Sequence, residues 1–125
     1  MGVQKRVLIV DDHVAMRRAV TRVLESQQNI KVCGEAENGR EAINQAERLK
    51  PDLIVLDLSM PVMNGLEAAR VLRGMMPKIP ILMYTSFATS NLTEEALAAG
   101  VSRVATKSSP PALINDLQIL LKNAA

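Results

Sequence analysis

Aromatic residues are nearly absent: one tyrosine, one phenylalanine and no tryptophan make up 2% of the chain. The core must therefore be built from Leu, Ile, Val, Ala and Met. A single cysteine, Cys33, excludes an internal disulfide and is compatible with a reducing cytosol. Neither sign of charge dominates; 15 Lys and Arg against 13 Asp and Glu leave a formal net charge of +2. That surplus is too small to argue for nucleic-acid binding by charge alone. No apolar run approaches the length of a membrane span, and the amino end lacks the apolar stretch of a signal peptide. These absences predict a cytoplasmic chain with no direct contact to nucleic acid or membrane. A length of 125 residues suits one domain with one core, over residues 1–125.

What the chain does have is a set of short apolar runs that end in polar groups. Val7-Leu8-Ile9-Val10 ends in Asp11 and Asp12, and Leu53-Ile54-Val55-Leu56 ends in Asp57. Ile81-Leu82-Met83-Tyr84 ends in Thr85, and the run from Val101 ends in Thr106 and Lys107. With the segment at 30–36, strands are predicted at 6–10, 30–36, 53–57, 80–84 and 101–105. Between them, apolar residues recur at helical spacing. Helices are predicted over Val14–Glu25 and Gly39–Leu49, from Gly65 to about Gly74, from about Leu92 to Ala99, and from Pro110 or Pro111 onward. The third should turn Leu66, Ala69, Val71 and Leu72 inward. Gly100 suits the end of the fourth. Asn64-Gly65 reads as a turn with positive φ at the glycine. Strands alternating with helices imply a parallel sheet with right-handed crossovers, and continuous Val/Ile/Leu runs fit strands buried on both faces.

Ligands of such sheets bind beyond the carboxyl ends of the strands. Asp11, Asp12, Asp57, Thr85 and Lys107 all fall there. Three carboxylates close together repel one another unless a cation offsets them. Hard oxygen donors suit Mg²⁺. A carboxylate can also take a phosphoryl group as a nucleophile, while a lysine and a hydroxyl supply charge and a hydrogen bond.

Val10-Asp11-Asp12-His13, Leu56 to Pro61, Asn64-Gly65-Leu66-Glu67, Thr85-Ser86 and Lys107 together resemble a response regulator receiver domain of two-component signalling. The resemblance runs from about Lys5 to Leu121. Gly34 to Gly39 and Asp57 to Pro61 are similar to receivers that precede a LuxR-type helix-turn-helix. The resemblance implies a flavodoxin-like (βα)5 fold, α/β and doubly wound, with a five-stranded parallel sheet in the order 2-1-3-4-5. It implies that Asp57 accepts a phosphoryl group from a sensor histidine kinase. Asp12 and Asp57 would bind Mg²⁺ directly, Asp11 through water, and Ser59 through its backbone carbonyl. Thr85 would be the switch hydroxyl, and Lys107 the partner of the phosphoryl group or the resting aspartate. A second copy of the chain or an output domain would be further partners. The chain itself would be a switch, not an enzyme.

Other residues carry blander expectations. His13 reads as the start of the first helix, Arg17 and Arg18 as a solvated face, and Cys33 as a small hydrophobe in the second strand. Three positions depart from the family pattern. Val104 stands where many receivers have an aromatic. Ser108 follows Lys107 in place of proline, so no cis bond is expected there. Phe87 stands where a polar residue often positions water, and is expected to cover the site and slow the loss of phosphate. Two other functions use similar acidic residues. A phosphohydrolase with an aspartyl intermediate commonly carries Asp-x-Asp, which Asp57-Leu58-Ser59 lacks. A receiver-like interaction domain without phosphorylation would not need the full acidic set.

Overall fold

The computed structural model describes residues 3–86, 88–107 and 110–123, without the side chains of 110 and 123. Along the chain come β1 (Lys5–Val10), α1 (Val14–Glu25), β2 (Ile30–Ala36), α2 (Gly39–Leu49), β3 (Leu53–Asp57), α3 (Gly65–Met75), β4 (Ile81–Thr85), α4 (Ser90–Ala99), β5 (Arg103–Thr106) and α5 (Pro110–Asn123). The five strands are parallel, in the order β2-β1-β3-β4-β5. This is the expected flavodoxin-like, doubly wound sheet.

Successive side chains of a strand point to opposite faces, and both faces here are covered. Leu8, Val10, Ile54, Leu56, Ile81 and Met83 pack against Ala42, Ala46, Ala68, Ala69, Leu72, Ala96 and Ala99 of α2, α3 and α4. Val7, Ile9, Leu53, Val55, Leu82 and Tyr84 pack against Val20, Leu24, Leu113, Leu117 and Leu121 of α1 and α5. So β1 feeds a helix on one face while its neighbour β3 feeds a helix on the other. A crevice opens between them at their carboxyl ends, as expected where strand order reverses.

Local chemistry sets the helix ends. The Asn38 side chain accepts a hydrogen bond from the Glu41 backbone N–H (2.8 Å) and starts α2. Asn64 and Glu67 form a reciprocal capping box at the start of α3. Thr89 accepts from the Leu92 N–H (3.1 Å) to start α4. Gly100, at φ 107°, ends it in the left-handed region.

Three expectations fail, each for a local reason. Gly65 does not have positive φ; it is the first residue of α3, and among the described residues only Lys50, Val62 and Gly100 do. The turn lies earlier, where Met63 N–H donates to the Pro61 carbonyl (2.7 Å) around Val62 at φ 69°, a γ-turn. Val71 does not face inward but is 41% exposed. The buried stripe of α3 is Gly65, Ala68, Ala69 and Leu72, and Val71 lies about 200° round the helix from Ala69. The fifth strand begins at Arg103 rather than 101. Val101 donates its N–H to the Ala96 carbonyl (2.9 Å), so it finishes α4 instead of joining the sheet.

Candidate functional site

The carboxyl ends of the strands gather the polar residues into one cavity of about 330 Å³, lined by Asp12, His13, Asp57, Leu58, Ser59, Thr85, Ser86 and Lys107. Asp57 is the last residue of β3 and is 4% exposed. Asp11 follows β1 and is 2% exposed; its N–H continues the sheet to the Ala36 carbonyl (3.0 Å). Thr85 ends β4 and is 6% exposed. The Lys107 backbone N–H donates to the Thr85 carbonyl (2.7 Å), which fixes the root of the lysine beside β4.

Lys107 reaches back across the sheet edge. Its ammonium donates to Asp11 Oδ2 at 2.8 Å and lies 3.0 Å from Asp57 Oδ1. It sits 5.8 Å from the centroid of the Tyr84 ring, which packs on the α1/α5 side of the sheet. One ammonium thus stands between two buried carboxylates, and Asp12 brings a third acid to the same place.

The balance of burial and charge differs for the partners. Burial pushes the Asp57 carboxyl above its usual range; the hydrogen bond from Lys107 opposes this, and the Asp11 and Asp12 charges add to the rise. Burial pushes Lys107 down, but its hydrogen bonds to Asp11 and Asp57 more than offset that and leave it raised. The asymmetry is physical. The lysine has two acids to itself, whereas the acids share one cation. Burial also raises Tyr84, against the pull of Lys107.

An alkaline limit on stability follows. Lys107 is raised above 10.5 in the folded chain, so its stabilising contribution is complete below that pH. It is lost as pH rises through the higher folded value. Tyr84 acts in the same direction, because the folded chain holds its proton longer than the unfolded chain. Thermal unfolding in metal-free buffer should therefore show stability falling above pH 10.5. The fall should be smaller in Lys107→Gln. An unchanged alkaline limb in that variant would remove the lysine from this account.

The donor set fits a divalent cation. Ligand atoms of Asp11, Asp12, His13 and Asp57 all lie within 4.8 Å of one another. Asp12 Oδ1 is buried with no hydrogen-bond partner, a cost that a bound cation would remove. The three carboxylates also exceed the one ammonium among them. Ser59 is exposed and lines the rim of the same cavity.

The structure brings together every site residue expected from the sequence, and adds two. His13 does start α1, but its Nδ1 lies 3.3 Å from Asp11 Oδ1 and 3.0 Å from Asp12 Oδ1. Arg17 is not on a solvated face: its side chain is 14% exposed, pairs with Glu35 (2.9 Å) and donates to the Asp11 carbonyl (2.6 Å). The sequence signal for both is spacing, because Arg17 stands one helical turn after His13, on the face of α1 that overlooks the Asp11 loop. Val104 pairs with Met83 across the sheet and packs against the α2–α4 core. Phe87, Ser108 and Ser109 lie outside the described residues. Among the described residues no helix is long and apolar enough to cross a membrane.

Comparison with known proteins gives the same arrangement a family. Over 99 residues the chain is 46% identical to a protein-glutamate methylesterase/protein-glutamine glutaminase of Idiomarina loihiensis, covering 78% of this chain and 25% of that protein. Over 111 residues it is 41% identical to the response regulator protein VraR of Staphylococcus aureus, covering 89% of this chain and 53% of that protein. The chain thus spans about a quarter to a half of the length of these curated relatives. Its fold superposes on a LuxR-family two-component response regulator from Aurantimonas sp. SI85-9A1 with a TM-score of 0.91 and 33% identity, covering 95% of this chain and 86% of that one. Residues 7–118 match the profile of the response regulator receiver domain. The chain therefore belongs to the response regulator receiver domains, the phosphorylation-dependent switches of two-component signalling.

Proposed function

We propose that Asp57 is the phosphoacceptor of this receiver and that a sensor histidine kinase is its donor. The observation that carries the reading is the convergence of Lys107, Asp11 and Asp57 at hydrogen-bond distance on one buried edge. An Asp57 oxygen would form the bond to phosphorus as the phosphorus–nitrogen bond of the donor phosphohistidine breaks, its electron pair returning to the imidazole. Asp12 and Asp57 would hold Mg²⁺ directly, with Asp11 through water and Ser59 through its carbonyl. The cation would supply charge neutralisation for the transferring group. Lys107 would turn from Asp57 toward a phosphoryl oxygen, and the Thr85 hydroxyl would donate to another. The new charge of about −1.5 to −2 would shift the populations of the face formed by α4, β5 and α5. Val104 has no aromatic ring to carry the shift by a rotamer change; the hydrogen bond from the Lys107 N–H to the Thr85 carbonyl offers a backbone route instead. This reading takes residues 1–125 as one receiver that works in the cytoplasm as a switch and not as an enzyme. Its output surface would meet a second copy or an output domain, rather than nucleic acid or membrane.

Incubation with Mg²⁺ and a small phosphodonor should add a single phosphate, and chelation should prevent it. Asp12→Ala should lose Mg²⁺ binding in titration calorimetry, since one ligand carries both charge and geometry. Sustained release of phosphate from simple esters would favour a hydrolase instead. Failure to bind Mg²⁺ would leave only an interaction domain.

A further inference from the structure

We propose that the acidic pocket is a mixed oxygen–nitrogen metal site, with His13 Nδ1 as a donor that selects divalent first-row transition ions over Mg²⁺. The inference rests on the reading above that the pocket holds a divalent cation, and it concerns which cation.

His13 holds the N-cap position of α1, yet its side chain caps nothing. Ser, Thr, Asp and Asn are the residues that serve this position by accepting a helix N–H. An imidazole here is therefore unexplained by the helix. Its ring is instead turned back over the cavity that it helps to line. Nδ1 lies 3.3 Å from Asp11 Oδ1 and 3.0 Å from Asp12 Oδ1.

The Asp12 contact is close but is not aligned as a hydrogen bond, for that oxygen is buried without a hydrogen-bond partner. Nδ1 thus has a hydrogen-bond partner in Asp11 Oδ1, while the Asp12 oxygen beside it has none. A cation shared with Nδ1 would satisfy that oxygen. The four candidate donors already lie within 4.8 Å of one another. An ion with ligand bonds of about 2.1 Å holds opposite donors about 4.2 Å apart, so little contraction is needed. The ring can make it without disturbing the core, because the His13 side chain is 72% exposed.

The chemistry of the donors sets the preference. Mg²⁺ demands hard oxygen and keeps several waters. Imidazole suits transition ions, whose affinity rises along the first row. A nitrogen donor thus adds little for Mg²⁺ and much for Co²⁺. To ligate, Nδ1 must be unprotonated, with the proton on Nε2, so ion binding competes with the contact to the acids.

Co²⁺ and Mg²⁺ should be titrated separately into the parent chain and His13→Gln by calorimetry. The preference for Co²⁺ over Mg²⁺ should fall about tenfold in the variant, the scale on which one metal partner is felt. The chain has one histidine, so its ring protons can be followed by NMR without ambiguity. They should be hyperfine-shifted by Co²⁺ in the parent, and the shift should vanish in Asp12→Ala. An unchanged preference, or ring protons that stay put, would overturn the mixed site. So would a shift that persists in Asp12→Ala, which would mean that the exposed ring binds Co²⁺ alone. If the parent binds neither Mg²⁺ nor Co²⁺, the phosphoacceptor reading falls and the mixed site with it. If Mg²⁺ binds and only the His13 results fail, the phosphoacceptor reading stands.

Discussion

Asp57→Asn is expected to take up no phosphate from a small donor, and yet to be the more stable protein in metal-free buffer. The first outcome follows from geometry. Asp57 alone ends the central strand β3, is buried, and faces the Lys107 ammonium at 3.0 Å with Asp12 across the cavity. An amide in its place keeps the volume but offers no anionic oxygen to attack phosphorus. The second outcome follows from linkage. Burial raises the Asp57 carboxyl above 3.8 in the folded chain. Between that pH and the folded value, the folded chain holds more protons than the unfolded one. Stability must then fall as pH rises through this window. Above the window the full penalty of the buried charge remains. Asparagine has no such proton to lose, so its advantage over the parent should grow from pH 3.8 upward and then level off. Mass spectrometry after phosphodonor treatment reads the first outcome, and thermal unfolding across pH reads the second. A phosphorylated Asp57→Asn would move the acceptor to another residue. A variant less stable than the parent at neutral pH would mean that the Lys107 contact outweighs burial at Asp57.

The site was legible because each polar group sits at a strand end. A run such as Leu53 to Leu56, buried throughout, can only lie inside the sheet, so Asp57 must emerge at its edge. Position along the strand is encoded by spacing; side-chain direction in a loop is not. That is why spacing places Asp11, Asp12, Asp57, Thr85 and Lys107 at the strand ends, and places His13 at the start of α1, but does not show that the His13 ring and the Arg17 side chain turn toward Asp11. Arg17 could be placed only once β2 put Glu35 beside it, at 2.9 Å. Val71 failed for a different reason. Apolar character alone groups Val71 with Ala69 and Leu72 and passes over Gly65 and Ala68, which complete the buried stripe of α3. Gly65 is required by a close approach of backbone and not by a positive φ. Its sequence setting resembles a left-handed turn, and only packing reveals the actual constraint.

That constraint gives a test within one helix. A Cβ at Gly65 would overlap the Asp57 carbonyl oxygen and stand 2.9 Å from Leu58 Cα. Both are backbone, so no rotamer change can relieve the overlap. The Gly65 N–H also donates to the Leu58 carbonyl (2.8 Å), which holds α3 against the loop after β3. Gly65→Ala must push helix and strand end apart, at a cost of about 2–3 kcal/mol for such overpacking. Because the atoms displaced belong to Asp57 and Leu58, Mg²⁺ affinity should fall along with stability. Gly74 lies near the other end of α3, and a Cβ there would meet nothing within 4 Å. Gly74→Ala should therefore stabilise, by about 0.5–1 kcal/mol, through lower chain entropy and better helix propensity. It should leave Mg²⁺ binding as it is in the parent, since it touches nothing at the site. The same substitution in the same helix is thus expected to change sign over nine positions. Chemical denaturation of the two variants, with Mg²⁺ titration of each, measures the contrast. Equal effects on stability would show that propensity governs both glycines. A destabilised Gly65→Ala with parental Mg²⁺ affinity would show that the Asp57 backbone can move without disturbing the donors.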